Sequence, residues 1–342
     1  MTEKIPFKPL TRGFAACKGC TMTLVANAIL SGKPDDTDVV IVIASGCFVV
    51  ATAIFPRTAW TIPMTHVNFE TAASVGSGIL AAHKVLRRKG RLPSDIAALA
   101  AGLQRRGLVG RKFRVIVFAG DGATFDIGLG PLSGMLERGE PIIYICYDNN
   151  AYSNTGEQSS GATPFHAVTA TTPGGMLRSE KAGGKDLMEF TLSHSAVVYA
   201  ARTTLGRHNQ PNDIKEKSAA AFAHDTGPVL LHIIAPCPRG WGFESSNAFT
   251  ILDHAIETGE CPLYHAEKVG RGHIRHLDYL PERYLGGVLH PEIHPITEFL
   301  GKQDRFVELL KRPDWLADYQ EDIDYRWLGR HGLIEKCEPY GS

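Results

Sequence analysis

The chain alternates unbroken apolar runs of strand length with polar breaks rich in glycine and asparagine, and helix-spaced apolar residues fill the intervals. Asp38–Ala44 (DVVIVIA), Val115–Ala119, Ile142–Tyr147 (IIYICY) and Val229–Ile234 are apolar at nearly every position, as strands covered on both faces are. Val197–Ala201 predicts a further strand. Helical spacing predicts a run carrying Met22, Leu24, Val25, Ile29 and Leu30, and a small-residue helix over Thr71–Leu86. It also predicts Ile127–Arg138, stopped by Gly139, and Asp186–Ser193. Asn212–His224 completes the set, capped by Asn212 or Asp213. Strand and helix in alternation predict an α/β fold with a mostly parallel sheet. The centre is Val115 to Gln158: strand, a tight turn at Gly120-Asp121-Gly122, helix, strand and polar loop. That is a βαβ unit, whose two strands should be parallel neighbours.

The flanks read differently. Residues 1–16 form an extended arm, with Pro6 and Pro9 opposing a helix. Arg87–Arg114 reads as a basic surface insertion carrying a short amphipathic helix. Ser159–Lys185 is a long Gly/Ser/Thr/Pro-rich loop expected to line a site. After residue 245 the strand pattern gives way to helix fragments, Ser246–Thr258 and Ile296–Leu309, around an extended His/Gly/Pro-rich segment at 264–295. The expected division is a chemistry-bearing domain over 1–245 and a C-terminal arm over 246–342 that packs on partner subunits.

Charge narrows the function. Lys and Arg total 36 against 36 Asp and Glu, and no long basic run occurs, which argues against nucleic acid as the main partner. No apolar stretch is long enough to span a bilayer, and the N-terminus lacks the apolar core of a signal peptide. A cytoplasmic protein is expected. In such a chain, 7 cysteines point to metal or redox chemistry before disulfides.

Parallel strands bring their carboxyl ends to one rim, where ligands of open α/β sheets bind. Asp121 and Asn149, 28 positions apart, should meet there. A carboxylate and an amide oxygen suit Mg²⁺, which completes its shell with phosphate oxygens. Gly120 and Gly122 would let backbone N–H groups approach a phosphate. A metal-bridged diphosphate is the expected ligand. Cys17 and Cys20 form a CxxC pair, Cys47 follows a core strand in Ser45-Gly46-Cys47, and Cys237 follows another between Pro236 and Pro238. Four such thiolates suit either zinc or a [4Fe–4S] cluster. Cys146 lies inside a strand and reads as structural, while Cys261 and Cys337 have no paired spacing.

The strings CKGC, SGC, HVNFETAASVGSG, FAGDGATFDIGLGPLSGMLERGEPIIYICYDNNAYSNTGEQ and APCPRGWG resemble one family across roughly residues 14–245. They are similar to the β (thiamine-binding) subunit of 2-oxoacid:ferredoxin oxidoreductases, the pyruvate synthase family. The resemblance implies a doubly wound sheet of the thiamine-diphosphate-binding type with helices on both faces. It implies that Asp121, Asn149 and the Ala151 carbonyl hold Mg²⁺, and that Gly46, Cys47, His66, Gly120, Gly122, Ala123, Asn154 and Thr155 contact the cofactor. It implies that Cys17, Cys20, Cys47 and Cys237 bind a [4Fe–4S] cluster. The implied reaction is oxidative decarboxylation of a 2-oxoacid, pyruvate above others, to acyl-coenzyme A and CO₂, with electrons passed to ferredoxin. Implied partners are α, γ and δ subunits or their fused equivalents. The family's Gly and Glu after CxxC are here Thr21 and Met22. Rival readings are a non-oxidative thiamine decarboxylase or carboligase, an electron-transfer or scaffold subunit with a vestigial thiamine site, and a zinc-stabilised structural protein.

Overall fold

A computed structural model describes residues 8–54, 56–91, 111–175, 184–206, 212–330 and 332–338. Most of the basic insertion, part of the long loop after Ser159, and Pro6 lie outside them.

The strands are β1 (Thr37–Ala44), β2 (Met64–Val67), β3 (Lys112–Gly120), β4 (Ile142–Asp148), β5 (Tyr199–Thr204), β6 (Val229–Ile234), β7 (Tyr264–Val269), β8 (Gly272–Leu277) and β9 (Cys337–Glu338). They form one sheet in the order β2-β1-β3-β4-β6-β5-β7-β8-β9. From β2 to β5 every pairing is parallel; β7 then runs antiparallel to β5, and β8 to β7. The β3–β4 pair is adjacent and parallel, as the βαβ pattern predicts.

Unbroken apolar strands arise because alternate residues enter two different cores. In β4, Ile142, Tyr144 and Cys146 face one core, while Ile143, Ile145 and Tyr147 face the other. The principal helices are α1 (Met22–Ser31), α2 (Cys47–Thr52), α3 (Ala72–Arg88), α4 (Leu129–Glu137), α5 (Leu187–Leu192), α6 (Asp213–Ala223), α7 (Ala248–Glu257), α8 (Thr297–Leu300), α9 (Val307–Leu310) and α10 (Pro313–Leu328). α1, α2 and α6 supply one core through Val25, Ile29, Val49, Ile214 and Phe222. α3, α4, α5 and α7 supply the other through Ala73, Leu80, Leu132, Met135, Met188 and Ile251. Helices on both faces make the sheet doubly wound. Gly76 shows how tightly α3 sits: an added Cβ would lie 3.0 Å from Val117 Cγ2.

Two expectations need correction. Gly120-Asp121-Gly122 is not a tight turn. β3 runs through Gly120, and the chain enters a π-helical turn over Gly122–Asp126 before α4 begins at Leu129. Such single turns recur at functional sites. The second concerns residues 264–295. Their first part is a β-hairpin that widens the sheet, and the C-terminal region packs on its own chain. Leu263, Tyr284, Phe299, Phe306, Ile323 and Trp327 are buried in the same core as Val115 and Leu132. No helix among the described residues is long and apolar enough to cross a membrane.

Candidate cofactor site at the carboxyl rim of the sheet

β1, β3, β4 and β6 are consecutive neighbours, spaced at about 4.8 Å. Their carboxyl ends lead into Cys47, Asp121, Asn149 and Cys237, in that order across the sheet. Oxygen ligands therefore leave the two inner strands and thiols the two outer ones. Over the first three strand ends lies a cavity of about 240 Å³, lined by Gly46, Cys47, Gly120, Asp121, Gly122, Ala123, Tyr147, Asn149, Ala151, Asn154 and Thr155, with Phe69 and Tyr152 at its wall.

Asp121 and Asn149 do meet. One terminal atom of the Asn149 amide lies 3.3 Å from Asp121 Oδ1, 2.7 Å from the Ala151 carbonyl oxygen and 3.1 Å from Ser153 Oγ. With the amide nitrogen there, it donates to the oxygens of Asp121 and Ala151. With the amide oxygen there, three oxygens face one another, which only a cation between them relieves. The donor set is all oxygen, as Mg²⁺ requires. Asp121 is buried, and its carboxyl is held well above the ordinary range by burial and then by the charge of Asp148. The Ser160 hydroxyl donates to Asp121 Oδ2 and opposes that rise. A cation favours the ionised carboxylate more strongly than one hydroxyl does.

The adjacent Asn150 has another task. At φ 61° it turns back, and its N–H and Nδ2 donate to Asp148 Oδ1 at 2.8 and 2.9 Å. Its Oδ1 accepts from Arg305 Nη1 at 3.2 Å. His232 Nδ1 accepts from Arg202 Nε at 3.2 Å, so its Nε2–H donates to Asp148 Oδ2 at 2.8 Å. The metal loop is thereby clamped from beneath.

The two glycines differ. Gly120 leaves open space, the nearest atom to an added Cβ being Tyr147 O at 4.0 Å. At Gly122 that Cβ would meet the Tyr152 ring at 2.2 Å. Tyr152, which donates to Asp126 Oδ2 at 3.0 Å, therefore takes the space expected for a phosphate. Gly46 caps α2 at φ 153° and ψ −167°, a glycine-only conformation. His66 stands one residue back from the cavity: its Nε2 lies 2.7 Å from Ser45 Oγ, and Ser45 is in the wall.

Around Cys47 the remaining thiols gather. Burial pushes Cys47 up to about 12, and the charges of Cys237, Cys20, Glu157 and Cys17 push the same way. Cys237 is pushed up to about 11 by burial and then by Glu157, whose Oε1 lies 3.6 Å from its sulfur. Cys20 is raised by burial and has its sulfur 3.7 Å from Tyr147 Oη. Cys17 is exposed. The CxxC turn is closed by Cys20 N–H donating to Cys17 O at 3.0 Å, with Gly19 at φ 79°. Ser245 braces it, donating to Lys18 O at 2.9 Å. No three of these sulfurs lie within 4.8 Å of one another.

Motif reading missed Ser160, Tyr152 and Glu157. Tyr152 lies inside the YSNTG string and was legible as part of it, whereas nothing in spacing couples Ser160 to Asp121, 39 positions earlier.

Residues 95–233 match the family described as thiamine pyrophosphate enzyme, C-terminal TPP binding domain. The chain is 36% identical to pyruvate synthase subunit PorB of Thermotoga maritima, over 93% of this chain and 90% of that protein. It is 37% identical to the PorB of Methanothermobacter thermautotrophicus, over 94% and 97%. It is 34% identical to ketoisovalerate oxidoreductase subunit VorB of Pyrococcus furiosus, over 90% and 88%. Among solved structures, its fold is similar to a 2-oxoglutarate:ferredoxin oxidoreductase from Magnetococcus marinus, with TM-score 0.52 and 20% identity over 70% of this chain and 69% of that one. Sheet, rim and relatives define a thiamine-diphosphate-binding α/β subunit. The chain belongs to the pyruvate synthase family of 2-oxoacid:ferredoxin oxidoreductases, as its β-type subunit.

Proposed function

We propose that this chain holds Mg²⁺–thiamine diphosphate and one [4Fe–4S] cluster on a single rim, and with partner subunits oxidatively decarboxylates pyruvate to acetyl-coenzyme A and CO₂, electrons leaving to ferredoxin. The observation that carries it is the order of the strand ends: thiol, carboxylate, amide, thiol, around one cavity. Pyruvate is favoured among 2-oxoacids because several relatives are pyruvate synthase subunits.

When bound, thiamine diphosphate supplies the carbanion chemistry of decarboxylation and the cluster accepts the electrons. The chain's own residues bind and position. Asp121, the Asn149 amide and the Ala151 carbonyl would hold Mg²⁺, with Ser160 and Ser153 orienting two of them. Asn154 and Thr155 would face the diphosphate side of the cavity, and Gly46 would leave room above the ring. His66 would act through Ser45. Cys17, Cys20, Cys47 and Cys237 would ligate the cluster. Their spacing supports this over zinc, because a tetrahedral zinc site with bonds of about 2.3 Å needs sulfurs about 3.8 Å apart. The raised thiols of Cys47 and Cys237 must lose their protons to ligate, which couples cluster insertion to proton release.

We assign the outer face of residues 246–342 to contact with α, γ and δ partners, and the complex to the cytoplasm. Anaerobic purification of the complex, with iron, thiamine and magnesium counted and a viologen assay over a 2-oxoacid panel, tests the reading. Cofactor and iron together with pyruvate-dependent reduction support it. Thiamine without iron returns the non-oxidative alternative, and zinc in place of iron the structural one.

A further inference from the structure

Outside the rim, one side-chain cluster has a ligand geometry that the proposed function does not use. His254 and Glu257 stand at i and i+3 near the C-terminal end of α7, and Glu298 comes from α8. His254 Nδ1 lies 3.4 Å from Glu257 Oε2 and 3.8 Å from Glu298 Oε2. Nδ1 is buried and makes no hydrogen bond. A neutral imidazole lone pair facing two carboxylates is repulsive, and a buried polar atom without a partner calls for an explanation such as an ion. A second histidine supports the third member: His294 Nδ1, held on a residue with φ 43°, lies 2.9 Å from Glu298 Oε2. Ligating carboxylates are commonly held by such an outer hydrogen bond.

We propose that His254, Glu257 and Glu298 form a binding site for one divalent ion of the zinc class, which ties the end of α7 to α8. One imidazole nitrogen with two carboxylates selects such a borderline ion over Ca²⁺ or Mg²⁺, which take oxygen shells. Bonds of about 2.1 Å in a tetrahedron set ligand atoms about 3.4 Å apart, so the observed separations need only a small closure. Two carboxylates, one neutral imidazole and a divalent ion sum to zero charge. Partial exposure of all three side chains leaves a fourth position for water. The location gives the ion a structural role. Upstream of α7, Ser245 braces the CxxC turn. Downstream of α8, Arg305 stacks 3.7 Å over Trp241 and reaches Asn150. A bond between α7 and α8 therefore joins the two segments that support the rim.

The test uses the assembled complex, purified anaerobically and passed over a chelating resin. Zinc is counted per copy of this chain after titration with Zn²⁺, and the melting temperature is read with and without the ion. The wild type should hold one more zinc than His254→Ala or Glu298→Gln, with at least about tenfold higher affinity, and zinc should raise only the wild-type Tm. Every cysteine is retained, so thiol-bound zinc cancels in the difference. Glu298→Gln keeps the side chain's shape and decides the matter if His254→Ala fails to assemble. Equal zinc in wild type and variants overturns the proposal. So does a wild-type Tm that follows pH but ignores zinc, which would assign the triad to a proton-held ion pair.

Discussion

The inner and outer strands of the rim hold their ligands in opposite ways. On β3 and β4 the oxygen donors are already close: Asp121, Asn149 and Ala151 touch, and Ser160, Ser153, Asp148 and Arg305 brace them or the loop beside them. On the flanks the thiols come from three separate segments and have few partners, chiefly Gly240 N–H, Glu157 and Tyr147. One half is organised before any ion arrives, while the other is organised by what it binds. Preorganised sites lose affinity when one member is removed, and thiol sites lose the metal itself.

The largest expected effect is at Asp121. Asp121→Ala should cut Mg²⁺–thiamine diphosphate affinity by more than about 100-fold, beyond the cost of an outer partner, with iron content unchanged; unchanged cofactor retention in equilibrium dialysis would refute the metal assignment. The same carboxyl sets a pH dependence. Its raised value means the metal-free fold is favoured while the group is neutral, and that contribution is lost as pH rises through the raised value. Metal binding must expel the proton, so affinity should increase with pH, and calorimetry in buffers of different ionisation heat should detect proton release.

Next is Cys237→Ser. Iron should be lost or the cluster converted, and viologen reduction should fall to background, while ¹⁴CO₂ release is less affected. A full complement of iron would mean that another residue completes the site. Third is Ser160→Ala, which removes a brace and no ligand. A fall in Mg²⁺ affinity of about 10- to 100-fold is expected, and a fall as large as that of Asp121→Ala would erase the distinction between ligand and support. The smallest effect belongs to Thr21→Val. Thr21 Oγ1 is buried without a hydrogen-bond partner, so exchanging it for a methyl should leave stability unchanged or raise it by up to about 1 kcal/mol in chemical denaturation. A clear loss would reveal a partner for that hydroxyl in the assembled enzyme.

The central βαβ unit was legible because strands covered on both faces need apolar residues at every position, and Val115–Ala119 and Ile142–Tyr147 supply them. The meeting of Asp121 and Asn149 then followed from parallel pairing alone. What failed to read was governed by contacts between distant residues. YHAEKV and GHIRHL carry charges and histidines at alternate positions because β7 and β8 lie toward the sheet's margin, so they look like loop. The tight turn at Asp121 was inferred from its glycines, yet Gly122 is small to admit the Tyr152 ring, a reason invisible in local sequence. Ser160 reaches its partner only through the path of a loop.

The π turn after Asp121 carries a surplus residue relative to an ordinary helical turn. Removing one residue between Gly122 and Ile127 could restore α geometry, but it would rotate all that follows by about 100°. Leu132, Met135 and Leu136 would then swing away from the sheet they cover. The length of this junction is thus set from both ends, by a ring packed against its first glycine and by a greasy face further on. Single-residue insertions or deletions there should be far less tolerated than substitutions at its exposed position, Ile127.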